Sequence, residues 1–224
     1  RHGPEGELLS HPSGSMGLGA PGARMTAVNT ALRRVPVWPF YFGLLIPGVL
    51  LFYDALGNRL GADPVARLEH ETGLLSLQLL IAALVVSPLR DLTGVNLLRF
   101  RRMIGLMAFV YACFHVLIWA VLDRQLDMAR IGADLVKRPY IMLGTAAFLL
   151  LIPLAWTSRD AALRRMGAVS WRRLHRLAYP ATLLAAAHFI WLVKAWPPEP
   201  LIYGAIALGL VLYRLLPRRR RNGV

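Results

Sequence analysis

WRRLHRLAYPATLLAAAHFIWLVK, residues 171 to 194, decides how this chain is read. Beyond its basic start the stretch is apolar and long enough for a bilayer, whose hydrocarbon core takes about 20 helical residues. It carries two imidazoles, His175 and His188. Ionisable side chains inside a membrane are costly, and where they occur they usually serve function.

Five more apolar segments surround it in the sequence, at 38 to 56, 71 to 89, 103 to 122, 139 to 157 and 201 to 216, with 174 to 193 as the fifth of six. The second needs its polar start around His70 and Glu71 to complete a crossing, and the sixth is short. Prolines 39, 47, 88, 153 and 180 fall within or at the ends of these segments, which membrane helices tolerate when neighbours satisfy the freed carbonyls. The chain is 56% hydrophobic, and the expected fold is all-α, an integral membrane six-helix bundle. Residues 1 to 24 are rich in Gly, Pro and Ser and too polar for a signal peptide, so they read as a disordered extension or an expression remnant. His2 and His11 lie there and are set aside; residues 25 to 224 form the membrane domain.

The net charge of +14, from 26 basic and 12 acidic residues, would suggest nucleic acid in a soluble protein. Here the basic residues sit in alternate connections: Arg33 and Arg34; Arg90, Arg99, Arg101 and Arg102; Arg159, Arg164, Arg165, Arg172 and Arg173; Arg214 and Arg218 to Arg221. The other connections interleave fewer basic residues, such as Arg59, Arg67, Arg124, Arg130, Lys137, Arg138 and Lys194, with Asp54, Asp63, Asp123, Asp127, Asp134 and Glu199. That is membrane orientation, not a nucleic-acid groove, and it places both termini in the cytoplasm. Short loops leave no room for a soluble catalytic domain, and one cysteine, Cys113, excludes a disulfide framework. GxGxxG, P-loop and HExxH motifs are absent.

With the orientation set, His115 lies about 18 Å and His188 about 21 Å from the cytoplasmic start of their segments at 1.5 Å per residue. Two imidazoles at one level on two helices suit the axial ligands of a haem. Nearby small residues, Gly105, Ala108, Ala112, Ala181, Ala185, Ala186 and Ala187, leave room for a macrocycle or simply let helices pack closely. His175 sits near the cytoplasmic surface, either against a cofactor or as an interfacial residue binding lipid phosphate. On a regular helix it and His188 would be some 140° apart in azimuth unless Pro180 kinks the segment. His70 is placed to bind a haem propionate, which Arg67 would do better, to act as an alternative ligand, or to be a solvated interfacial residue. Buried histidines also occur in proton-coupled transporters, but the chain has no inverted repeat and its Asp54 and Glu71 fall only at segment ends.

The segments GADPVARLEHETG (61 to 73), RRMIGLMAFVYACFHVLIWAVLD (101 to 123), KRPYIMLG (137 to 144), WRRLHRLAYPATLLAAAHFIWLVK (171 to 194) and PEPLIYGAIA (198 to 207) resemble the MsrQ (YedZ) family, in order and spacing from about Val35 to Arg214. These are haem-binding membrane subunits of the bacterial MsrPQ system, within the ferric-reductase-like transmembrane superfamily that also contains the NADPH oxidases. The resemblance implies an inner-membrane protein passing electrons from the quinone pool or a cytosolic flavin reductase to MsrP, a periplasmic molybdenum enzyme that reduces methionine sulfoxide. It also implies haem b and FMN, with His115 and His188 as haem ligands and His175 as a third motif histidine. A second haem would need a fourth ligand where this chain has Arg101-Arg102. That space suits FMN, with Arg102, Arg172 and Arg173 towards its phosphate and Trp171 towards its ring. A ferric or other metal reductase is the rival function on the same scaffold.

Overall fold

The computed structural model describes residues 21 to 193 and 197 to 215; His2, His11, Lys194 and Arg218 to Arg221 lie outside them. Among the described residues nine α-helices follow in order: α1 Pro21–Arg34, α2 Trp38–Leu56, α3 Pro64–Thr93, α4 Leu98–Leu117, α5 Met128–Lys137, α6 Pro139–Trp156, α7 Asp160–Leu174, α8 Ala178–Leu192 and α9 Pro198–Leu215. A π-helical turn, Ile118–Asp123, extends α4, and a 3-10 turn, His175–Leu177, leads into α8. No strand occurs among the described residues. Of the extension expected at 1 to 24, residues 1 to 20 lie outside the described part and 21 to 24 open α1.

Local signals explain the boundaries. Asp63 caps α3 by accepting from the Ala66 N–H at 3.0 Å, with Pro64 in the first turn where its missing N–H costs nothing. The same helix stops at Gly94, whose φ of 77° is left-handed and whose N–H reaches the Arg90 carbonyl at 2.9 Å. Asp127 caps α5 through the Ala129 and Arg130 N–H groups, and Pro139 opens α6. Pro180 falls in the first turn of α8 and so does not break it. His175 and His188 are therefore not on one regular α-helix, because the chain tightens to 3-10 geometry between them.

Among the described residues four helical stretches are long and apolar enough to cross a membrane: Trp38–Leu56, Pro64–Thr93, Leu98–Asp123 and Pro139–Trp156. With 15 residues α8 measures only about 22 Å. One buried cluster joins Leu80 of α3, Ala108 and Ala112 of α4, Leu151 and Leu154 of α6 and Ala181 of α8. A second joins Leu77, Ile81, Ala186, Phe189 and Ala207, adding α9. Outside this core, α2 exposes Trp38, Phe42, Ile46, Val49 and Tyr53, an apolar stripe at helical spacing of the kind that faces lipid or a partner. It is fastened by Tyr111, fully buried, whose hydroxyl donates to the Leu44 carbonyl at 2.7 Å and accepts from the Gly48 N–H at 3.0 Å. Those two groups are an i, i+4 pair beside Pro47, so the phenol is inserted into the ladder of α2.

The basic connections meet at one end. Asn29 of α1 bonds the Gly94 carbonyl and the Asn96 N–H, Arg99 reaches the Arg33 carbonyl, Arg102 pairs with Asp160, and Trp171 Nε1 donates to the Thr157 carbonyl. Charges of mixed sign meet elsewhere, where Asp134 of α5 binds both Arg124 and Arg138.

Candidate functional site

His115 ends α4 where the helix widens into its π turn, and His188 lies in the last turns of α8. Their ring centroids are 6.1 Å apart and their planes are crossed at 76°. The Nδ1 of His115 lies 2.9 Å from the Glu69 carbonyl of α3, and the Nδ1 of His188 lies 2.6 Å from the Tyr140 carbonyl of α6. Only a protonated Nδ1 can bond a carbonyl, and in the neutral imidazole this leaves Nε2 unprotonated and able to bind a metal. A metal–imidazole nitrogen bond is about 2 Å and the ring centre lies about 1 Å behind that nitrogen, so two axial imidazoles on one iron have centroids about 6 Å apart. The observed spacing matches. No group of three or more His, Cys, Asp or Glu suited to a bare metal ion occurs among the described residues.

A cavity of about 540 Å³ holds both imidazoles, within the ordinary range for a cofactor site. Its walls are apolar, with Leu74, Leu77, Leu80, Phe148, Leu151 and Phe189, and small residues widen it at Gly73, Ala112, Gly144, Ala147 and Ala185. The small residues picked out in the sequence therefore divide. Ala112 and Ala185 line the cavity as well as packing in the clusters, whereas Ala108, Ala181 and Ala186 sit in the clusters without lining it, and a Cβ at Gly105 would face open space.

Polar groups gather at one edge of the cavity: Glu69, Asp123, Arg124, Arg138 and Tyr140. Asp134 binds Arg124 at 2.6 Å and Arg138 at 2.9 Å, Arg124 also meets Asp123 at 3.2 Å, and Arg138 donates to the Tyr140 hydroxyl at 3.0 Å. Arg124 and Arg138 thus place cationic side chains at the edge of the site, of the type that pairs with carboxylates. Sequence reasoning passed over both, because the π turn after His115 and the fold-back of α5 decide where they point. Arg67, the expected propionate partner, instead pairs with Glu71 at 2.8 Å one turn along α3 and does not line the cavity. His70 does line it, with its ring 5.6 Å from that of Phe189.

The remaining candidates collect at the basic end. His175 stacks on Trp171 with centroids 3.7 Å apart, its Nδ1 lies 3.1 Å from the Trp171 carbonyl, and its Nε2 is buried without a hydrogen-bond partner. Arg102 lies 5.7 Å from the Trp171 ring and pairs with Asp160. That bond, and then the Arg102 charge, hold the Asp160 carboxyl below the usual carboxylate range. Arg172 and Arg173 are exposed on α7. His175, Trp171 and Arg102 are brought together, and none of them lines the His115–His188 cavity.

The family described as ferric reductase like transmembrane component matches residues 71–186. Proteins from Brucella ovis and Brucella canis, each named protein-methionine-sulfoxide reductase heme-binding subunit MsrQ, are 46% identical to this chain over 195 residues, covering 84% of it and 88% of their own length. A protein of the same name from Brucella melitensis is similar to the same degree.

Proposed function

Because the chain belongs to the MsrQ family of haem-binding subunits, within the ferric-reductase-like transmembrane proteins, we propose that it passes electrons across the bacterial inner membrane through a haem b held by His115 and His188. The recipient is the periplasmic molybdenum-containing MsrP, where methionine sulfoxide is reduced, and the donor is the quinone pool or a cytosolic flavin reductase. The proposed orientation puts the basic ends of α1, α4 and α7 in the cytoplasm with both termini, as the alternation of charge requires. In it α8 and α9 complete six crossings, and the edge carrying Arg124 and Arg138 faces the periplasm.

The observation that most directly supports the proposal is the pair of crossed imidazoles, 6.1 Å apart, inside the cavity. A haem held by both histidines would have no open position for oxygen and would supply one-electron transfer. The chain does the rest. The Glu69 and Tyr140 carbonyls fix each Nδ1–H and so aim each Nε2 inward. Leu77, Leu80, Phe148 and Leu151 exclude water, and Arg124 and Arg138 offer positive charge to the carboxylates of the macrocycle. At the cytoplasmic end, FMN is proposed to lie by His175, with Arg102, Arg172 and Arg173 supplying charge for its phosphate; a second haem would use the same His175 Nε2.

Detergent-purified protein is expected to show the absorption spectrum of a reducible low-spin haem. His115→Ala and His188→Ala should each abolish or convert it, and an unchanged spectrum in both variants overturns the assignment. Extraction and mass measurement of the cofactors then count haem against FMN.

A further inference from the structure

Two of the sequence segments quoted above end on a glycine whose place the fold explains. In GADPVARLEHETG the last residue is Gly73, and in KRPYIMLG it is Gly144. Gly73 lies on α3 four residues after Glu69, whose carbonyl holds His115. Gly144 lies on α6 four residues after Tyr140, whose carbonyl holds His188. A Cβ added at Gly73 would stand 3.0 Å from the Nδ1 of His115 and 3.1 Å from its Cε1. One at Gly144 would stand 2.9 Å from the Nδ1 of His188 and 3.1 Å from its Cε1. Two helices unrelated in sequence thus present one device, a carbonyl at position i that accepts from the imidazole and a glycine at i+4 over which the ring lies.

The geometry has one physical cause. An α-helix carbonyl already accepts the N–H four residues on, and its second lone pair opens beside that residue. A Cβ there would stand about 3 Å from the ring as it lies here, so the imidazole takes this place over the helix because position i+4 is glycine. We infer that Gly73 and Gly144 are positioning residues for the haem: each fixes the rotation and the Nδ1–H bond of one axial histidine, and together they impose the crossed ring planes and a low reduction potential. This rests on the proposed haem ligation. A ligand imidazole that donates Nδ1–H to a carbonyl is a stronger base, and a stronger base favours the ferric over the ferrous state. Adding a methyl group pushes the ring a few tenths of an ångström away from its carbonyl, weakening that bond and raising the potential. Glycine is not required here for its backbone freedom, since both residues are within regular helix.

The experiment measures the midpoint potential by optical redox titration and the ferric EPR spectrum of the unmutated chain, Gly73→Ala and Gly144→Ala. Gly105→Ala is the control, because a Cβ there meets nothing within 4 Å. The unmutated protein should show the highly anisotropic low-spin signal of crossed imidazole planes. Each alanine variant should lower the largest g value and favour reduction by about tenfold, about 59 mV for one electron, while Gly105→Ala moves neither. A rhombic signal of parallel rings in the unmutated chain overturns the inference even if no variant can be purified. So does a variant that keeps its haem with unchanged signal and potential. Absence of low-spin haem from the unmutated chain overturns the proposed ligation as well.

Discussion

Asp134→Asn keeps the shape of the side chain and removes its charge. Asp134 is 8% exposed and binds Arg124 at 2.6 Å and Arg138 at 2.9 Å, joining α5 to the segment after His115 and to the start of α6. Breaking a buried pair by neutralising one partner costs about 3–5 kcal/mol. Two features of this site reduce that figure. Arg124 keeps Asp123 at 3.2 Å, and the Arg138 side chain is 44% exposed, so solvent screening limits its share to at most about 1 kcal/mol. A cost of about 3 kcal/mol remains, felt first as local opening of α5. At about 1.4 kcal/mol per tenfold, amide hydrogen exchange over residues 128 to 137 should accelerate by about 100-fold, read by mass spectrometry in detergent. The helices of the core should be little changed. Less than threefold acceleration would refute the view that Asp134 fastens α5 over the cavity edge.

Arg124→Ala and Arg138→Ala should each weaken haem retention by about tenfold, whereas Arg67→Ala, which removes only the exposed pair with Glu71, should leave it unchanged; haem-to-protein ratio after dialysis against apomyoglobin checks both. Tyr111→Phe should destabilise the fold by only about 1 kcal/mol in denaturant titration, because Leu44 and Gly48 can close their own helical bond once the hydroxyl is gone. Gly48→Ala should cost more, since its Cβ would stand 3.0 Å from the Tyr111 ring. The Arg102–Asp160 pair gives a sign for acid. Because the folded carboxyl titrates below its unfolded value, the stabilisation is complete above about pH 4 and is lost as pH falls through the depressed folded value. Hydrogen exchange at residues 157 to 160 should rise over that range, and Asp160→Asn should abolish the acid step.

The helical character and four of the apolar spans were legible because apolar blocks are a property of the chain itself. The segments expected at 38 to 56 and 139 to 157 appear as Trp38–Leu56 and Pro139–Trp156. The segment expected at 71 to 89 grew to Pro64–Thr93, since a capping Asp63 and a terminal Gly94 carry that helix past its apolar stretch. His115 and His188 could be paired by depth alone, since helical rise converts residue count into height. Azimuth resisted the same treatment. The 3-10 turn at His175–Leu177 and the π turn at Ile118–Asp123 change the twist per residue, so facing directions computed from a regular helix do not hold across them.

The amino-acid order by itself determined that this is a helical membrane chain, which ends of its helices carry the excess positive charge, and which two histidines lie at one level, because these follow from local composition and distance along the chain. Only the tertiary structure decided that the imidazoles face each other at 6.1 Å with crossed planes, that Arg124 and Arg138 replace Arg67 at the cavity edge, and that Gly73 and Gly144 admit the rings to the Glu69 and Tyr140 carbonyls. The contacts of the two imidazoles join residues 42 to 73 positions apart in sequence, on helices whose relative rotation is set by packing against one another.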